Sequence, residues 1–181
     1  MQIIQTGITG LIEIIPQVYH DSRGWFFEFY KEGPFHQHGI TYQFPQENVS
    51  FSQKGVVRGL HFQHKPWQQA KLVSVLRGKV LDVVVDLRKE STTFGKWHSC
   101  VLDSERHNQL MVPDGFAHGF AALEDSIFLY KSSGEYNRQA EDGIVWNDPV
   151  LNIQWPFENP VVSEKDKNLP TLNELLRKSL I

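Results

Sequence analysis

The sequence predicts an all-β fold, a jelly-roll sandwich or barrel with one short C-terminal helix. Most of the chain divides into short runs rich in β-branched and aromatic residues, with Gly, Pro, Asp, Asn or Ser between many of them. About ten such runs fit within 181 residues, and helical signals are nearly confined to the C-terminal end. So many short strands in one chain, with so little helix, define a sandwich or closed barrel. In a small barrel the inward-facing side chains either fill a core or line a ligand cavity.

The strand-like runs are, in order, LIEII (11–15), WFFEFY (25–30), NVSFS (48–52), VVRGLHFQ (56–63), KLVSVL (71–76) and KVLDVVVDL (79–87). WHSCVL (97–102), QLMVP (109–113), HGFAAL (118–123), SIFLYKS (126–132) and GIVW (143–146) follow. Arg77-Gly78 predicts a tight hairpin turn between the fifth and sixth runs. KVLDVVVDL shows a two-residue period, with Leu81, Val83, Val85 and Leu87 on one face and Asp82, Val84 and Asp86 on the other. The first face belongs to the core; the second faces solvent or a pocket. PFHQHG (34–39) predicts a short helical turn. Thr171 and Glu174 are spaced as a capping box, which predicts a helix over about 171–180.

A chain of this length is expected to form a single domain, 1–181. Its net charge is -3 and its Lys and Arg are scattered, so no nucleic-acid track is expected. Cys100 is the only cysteine, which excludes an intrachain disulfide and fits a reducing compartment. It reads as a small core residue. No apolar run approaches the ~20 residues that span a bilayer, and MQIIQTGITGLIEI lacks the charged start and cleavage site of a signal peptide. No membrane association is expected, and the cytoplasm is the expected compartment.

The most informative segment is Gly55–Gly78. It has the frame of a barrel metal site, yet Gln63 and Lys71 stand where a second histidine and a glutamate would serve as ligands. An ammonium offers donors only and adds like charge beside a cation. The segment therefore points to an anion or a developing negative charge, and no metal is expected. Strict alternation separates Arg58 from His61, but Gly59 between them is a natural bulge site that can turn both into the barrel. PDGFAHGF (113–120) is the second half of the frame and delivers His118 inward. Lys71 shares a face with Val73 and Val75. If that face lines a pocket, the ammonium can stabilise an enolate oxygen.

Tyr130 shares a face with Phe128 and suits a proton donor, because a phenol of pKa about 10 is neutral at pH 7. Asp166 can orient His61 and raise its basicity. Arg23, in DSRG, suits a turn or a phosphate clamp. Taken singly, each of these residues also has an ordinary structural use.

The joint order of the motifs is more specific. DSRGWFFEFY, QENVSFS, VVRGLHFQ, AKLVSVLRGKVLDVVVDLRKESTTFGKW, VPDGFAHGF, IFLYK, IVWNDP, IQWP and VSEKD together resemble the dTDP-4-dehydrorhamnose 3,5-epimerase family, almost end to end. That resemblance implies a cupin-like jelly-roll barrel and a metal-independent epimerase without a cofactor. The implied reaction inverts C3 and C5 of dTDP-4-dehydro-6-deoxy-D-glucose by proton removal and return alpha to the C4 ketone. It implies His61 as the base, Asp166 as its partner, Lys71 at the enolate and Tyr130 as the acid. Arg58 and His118 match substrate-pocket positions. Arg23, Glu28, Gln46, Asn48, Glu141 and Lys165 match positions that hold the nucleotide, diphosphate or sugar.

A homodimer is also implied, with an N-terminal segment reaching the neighbour's site. Two departures stand out: Trp25 where Phe is usual, and Ala70 where Gly commonly precedes the lysine. Both bear on substrate choice. The alternatives are a C3-only epimerase or ketoisomerase of a related dTDP-keto sugar, a metal-dependent dioxygenase, and a non-catalytic sugar-binding jelly roll.

Overall fold

The computed structural model describes all 181 residues. It begins with strands β1 (Gln2–Gln5) and β2 (Ile12–Ile15), the hairpin β3 (Val18–Asp21) and β4 (Gly24–Phe27), and helix α1 (Glu32–Gln37). The central strands are β5 (Gln46–Ser52), β6 (Val57–Gln63), β7 (Lys71–Arg77), β8 (Lys79–Asp86) and β9 (Trp97–Asp103). After them come β10 (Gln109–Val112), β11 (Phe116–Ala122), β12 (Ser126–Ser132) and β13 (Glu141–Gly143), then the short helices α2 (Glu164–Lys167) and α3 (Leu172–Arg177).

The strands form a six-stranded sheet, β1-β2-β10-β7-β12-β5, and a five-stranded sheet, β13-β6-β11-β8-β9. Their inner faces share one buried cluster, with Val73, Val75, Leu110, Val112 and Phe128 from the first and Val80, Val84, Leu102, Phe116 and Phe120 from the second. This is the expected cupin-like jelly roll, and its core is the barrel interior. The outer face of the five-stranded sheet is covered by the C-terminal segment, where Leu151, Ile153, Leu172 and Leu175 pack on Leu60, Val83 and Val85. Phe35 of α1 and Ile40 cover Leu72 and Met111 on the other sheet.

The expected hairpin at Arg77-Gly78 does not form. Strand β7 pairs with β10 and β12, whereas β8 pairs with β11 and β9, so the chain crosses between sheets at Gly78. Gly78 has φ +79°, and a Cβ there would lie 2.4 Å from the Asp125 carbonyl oxygen. A positive-φ glycine serves a sheet-to-sheet corner as well as a hairpin.

Strand β8 keeps its two-residue period, but both of its faces are buried. Asp82 and Asp86 are each 0% exposed, and the carboxylate face turns into the barrel rather than to solvent. The GIVW run is only partly strand. The paired segment is Glu141–Gly143, and Ile144 extends it by exchanging backbone hydrogen bonds with Leu60 before Val145 turns to bond Pro170. At the C-terminus, Thr171 and Glu174 form the expected capping box, and the helix ends at Arg177.

Candidate active site

The site grows from an irregularity in β6. His61 is the cross-strand partner of His118 on β11, and Arg58 is the partner of Phe120, so three steps on β6 match two on β11. Gly59 lies between them with φ +113°, and a Cβ there would sit 2.6 Å from the Gly119 Cα. The two glycines pack backbone to backbone, and the bulge brings His61 to the inner face as expected, whereas Arg58, expected to turn inward with it, is exposed.

Asp166 meets the bulge from α2, a four-residue helix whose N-cap, Ser163, accepts a hydrogen bond from the Asp166 amide. The carboxylate accepts from the Gly59 amide at 3.1 Å and from His61 Nε2 at 2.8 Å. Burial would raise this carboxyl, but the bonds from His61 and Gly59 outweigh burial and hold it below the usual range. An ionised carboxylate only accepts, so the proton of His61 sits on Nε2 and the lone pair remains on Nδ1.

His61 opens onto a cavity of about 340 Å³ whose lining also includes Gln46, Asn48, Gln63, Lys71, Tyr130, Ser132, Tyr136 and Glu141. Lys71, Tyr130, Gln46 and Asn48 belong to the six-stranded sheet, opposite the sheet that carries His61. The Lys71 ammonium lies 6.0 Å from the centre of the Tyr130 ring. Burial lowers the Lys71 pKa to about 8, against the pull of Asp82 and Glu141. Burial also raises the Tyr130 phenol, with Glu141 adding to it. A cation that is easily discharged and a phenol firmly protonated thus share one wall.

Behind them, His118 Nε2 lies 2.9 Å from Asp82, and the two are 7% and 0% exposed. His118 therefore backs the cavity and does not line it. Cys100 packs against the barrel core, and burial pushes its thiol up. Gln63 lines the cavity with both ends of its amide already engaged. Its amide bridges two loops, donating to the Trp67 carbonyl at 2.8 Å and accepting from the Asn137 amide at 2.7 Å.

Of the other expected residues, Gln46 and Asn48 are joined at 3.0 Å. Glu141 pairs with Lys165 at 2.6 Å and accepts from the Tyr136 hydroxyl at 2.6 Å. Burial acts to raise the Glu141 carboxyl, but these two bonds outweigh it and hold the group below its ordinary range. Arg58 donates to Ser52 Oγ at 2.9 Å and to the Phe51 carbonyl at 3.0 Å.

Arg23 and Glu28 do not join the cavity within this chain, and Arg58 and Lys165 are exposed residues outside its lining. Arg23 pairs with Asp21 at 2.6 Å in the β3–β4 turn, and Glu28 pairs with Lys31 at 2.8 Å. Trp25 is exposed and packs on His107, with ring centres 4.3 Å apart. Ala70 packs in the outer cluster and does not itself line the cavity, although its neighbours Gln69 and Lys71 do. Tyr136 and Ser132 are lining residues that the sequence did not single out, although Ser132 follows Tyr130 by two positions on one strand face.

A jelly-roll barrel holding a carboxylate-backed imidazole, a half-buried ammonium and a protonated phenol around one cavity defines an acid–base enzyme of the cupin-like class. The model of the dTDP-4-dehydrorhamnose 3,5-epimerase family matches residues 5–174. The chain is 45% identical over 170 residues to the dTDP-4-dehydrorhamnose 3,5-epimerase of Shigella flexneri, a match that covers 93% of this chain and 94% of that protein. It is 44% identical to the Legionella pneumophila dTDP-6-deoxy-D-glucose-3,5-epimerase solved with dTDP-4-keto-L-rhamnose, at a TM-score of 0.91 over 95% and 93% of the two chains. A 3'-monoepimerase from Streptomyces bikiniensis, solved with dTDP-quinovose, matches at 35% identity and a TM-score of 0.89 over 96% and 89%. This chain belongs to the dTDP-4-dehydrorhamnose 3,5-epimerase family.

Proposed function

We propose that the protein epimerises C3 and C5 of dTDP-4-dehydro-6-deoxy-D-glucose, giving dTDP-4-dehydro-L-rhamnose, with a single cavity serving both carbons. The observation that carries this reading is the opposition of His61 and Tyr130 on different sheets around one small cavity. Epimerisation needs a proton taken from one face of the sugar and another returned to the opposite face.

His61, with its lone pair on Nδ1, takes the proton alpha to the C4 ketone. Such a proton is far too weakly acidic for imidazole alone, so the enolate must be stabilised, and a donor fixed at its oxygen does this most effectively. Lys71 supplies that donor. Tyr130 then protonates the carbon from the other side, and proton exchange with solvent restores the imidazole and the phenol. C3 and C5 both flank C4, so the same groups act twice. Asp166 keeps His61 in the productive tautomer and stabilises the imidazolium that forms. Gln46, Asn48, Arg58, Glu141 and Lys165 bind the substrate, and His118 supports the pocket from behind.

The same proposal makes the protein a cytoplasmic homodimer of single-domain chains. Tyr19, Trp25 and Phe26 stand 58–64% exposed on the β3–β4 hairpin, and Val49 and Phe51 are exposed on the edge strand β5. Delivered to a second copy, that hairpin would carry Arg23 and Glu28 towards the neighbour's nucleotide.

A C3-only reaction is the second reading. It is favoured by the likeness to the Streptomyces bikiniensis 3'-monoepimerase, because one scaffold supports both outcomes. Proton NMR of the product formed from dTDP-4-dehydro-6-deoxy-D-glucose separates the two. Inversion at both carbons supports the first reading; inversion at C3 alone supports the second.

A further inference from the structure

Ser132 is 1% exposed, and its hydroxyl oxygen has no hydrogen-bond partner in the protein. The other buried serines are all satisfied: Ser52 accepts from Arg58, Ser74 donates to the Asn108 carbonyl, and Ser126 donates to the carbonyls of Lys79 and Glu124. Even the adjacent Ser133 accepts from the Ala70 amide at 2.9 Å. A buried hydroxyl that forgoes its bonds costs folding free energy, and such groups call for a specific explanation.

Its position supplies one. Ser132 lines the cavity of His61 and lies on the same face of β12 as Tyr130, two residues along. Its cross-strand partner on β7 is Lys71 and on β5 is Gln46, and both line the same cavity. Side chains directly opposite on one sheet face stand about 5 Å apart at Cβ. Ser132 is therefore rooted beside Lys71, on the wall that faces the base.

We infer that Ser132 is a further catalytic residue, whose hydroxyl donates a hydrogen bond to the same substrate oxygen that Lys71 addresses. This rests on the epimerase reading above. As the ketone becomes an enolate its oxygen gains charge, and the hydrogen bond from a neutral donor that turns towards it from the wall strengthens. No covalent bond is made or broken at Ser132; the proton stays on its oxygen throughout. The resting fold carries the unpaired group because substrate completes it.

The test compares wild type with Ser132→Ala and with the near-isosteric Ser132→Cys, a much weaker donor. The readouts are deuterium wash-in from heavy water and the Tm of each protein without substrate. Both variants should keep a Tm equal to or above that of wild type, since an unsatisfied group is lost. Their exchange rate should fall about 100-fold, the low end for one donor removed from an oxyanion site, mainly in kcat. Exchange within twofold of wild type in the Ala variant overturns the role of Ser132 while the epimerase reading stands. A Tm lowered by several degrees in both variants also overturns it, because the hydroxyl would then be satisfied in the resting fold. If wild type itself exchanges nothing, the epimerase reading falls and this inference with it.

Discussion

The Gly59 amide donates to one oxygen of Asp166 at 3.1 Å, while the other oxygen holds His61 Nε2 at 2.8 Å. One carboxylate thereby ties together the bulge that aims the imidazole and the imidazole itself. The fold and the chemistry meet at this point, since the same side chain sets the direction of His61 and its tautomer. Asp166→Asn should lower deuterium exchange by about 10²–10⁴, the span of a general base's contribution, with near-native circular dichroism. Exchange within threefold of wild type would remove Asp166 from the mechanism.

Gly59→Ala tests the bulge. The added Cβ would meet the Gly119 Cα at 2.6 Å on a backbone with φ +113°. Loss of at least about 2 kcal/mol is expected from the combined strain and overlap, read as a lower urea midpoint with little change in slope. A change under about 0.5 kcal/mol, the scatter of ordinary surface substitutions, would show that β6 tolerates regular pairing there.

Lys71 gives a pH prediction with a definite sign. Its pKa is lowered to about 8, so the ammonium is lost as pH rises through that value. If the ammonium stabilises the enolate, kcat/KM should fall on the alkaline side with a limb near pH 8. Asp82 pulls that pKa up, so Asp82→Asn should move the limb to lower pH. An unmoved limb, or one moved upward, would assign it to another group.

Lys71→Met should separate stability from function. A half-buried ammonium with its charge partly desolvated is costly, and an apolar side chain of similar length relieves that cost. The variant should melt at an equal or higher temperature than wild type and lose about 10²–10³ in kcat. A large fall in Tm would instead make Lys71 a structural cation.

Tyr130→Phe should harm completed inversion more than initial exchange, because the phenol acts after the proton has left. Comparing the rate of deuterium wash-in with the rate of product formation checks this. Equal loss of both would argue against the donor role.

Much of this architecture is legible in the chain. The β-branched and aromatic runs mark most strands, Gly59 marks the bulge, and Thr171 with Glu174 marks the C-terminal helix cap. The differences have physical causes. Gly78 carries the same local signal whether a chain reverses within a sheet or crosses to another, and only long-range pairing distinguishes the two. Helix α2 is four residues long, too short for any periodicity. Strands β1 and β3 are four residues each with exposed positions, so no apolar alternation announces them. The inward turn of Asp82 is open in the sequence because a carboxylate face alternating with valine reads equally as solvent or pocket. Ser132 is silent there too, since a serine says nothing until its lack of a partner is seen.

The central claim is that one pair of groups inverts two carbons flanking a ketone. The most direct measurement is proton NMR of dTDP-4-dehydro-6-deoxy-D-glucose incubated with the protein in deuterated water. Deuterium should appear at both C3 and C5 with wild type and at neither with His61→Asn in a folded protein. Deuterium at neither carbon with wild type, or at both with His61→Asn, would contradict it.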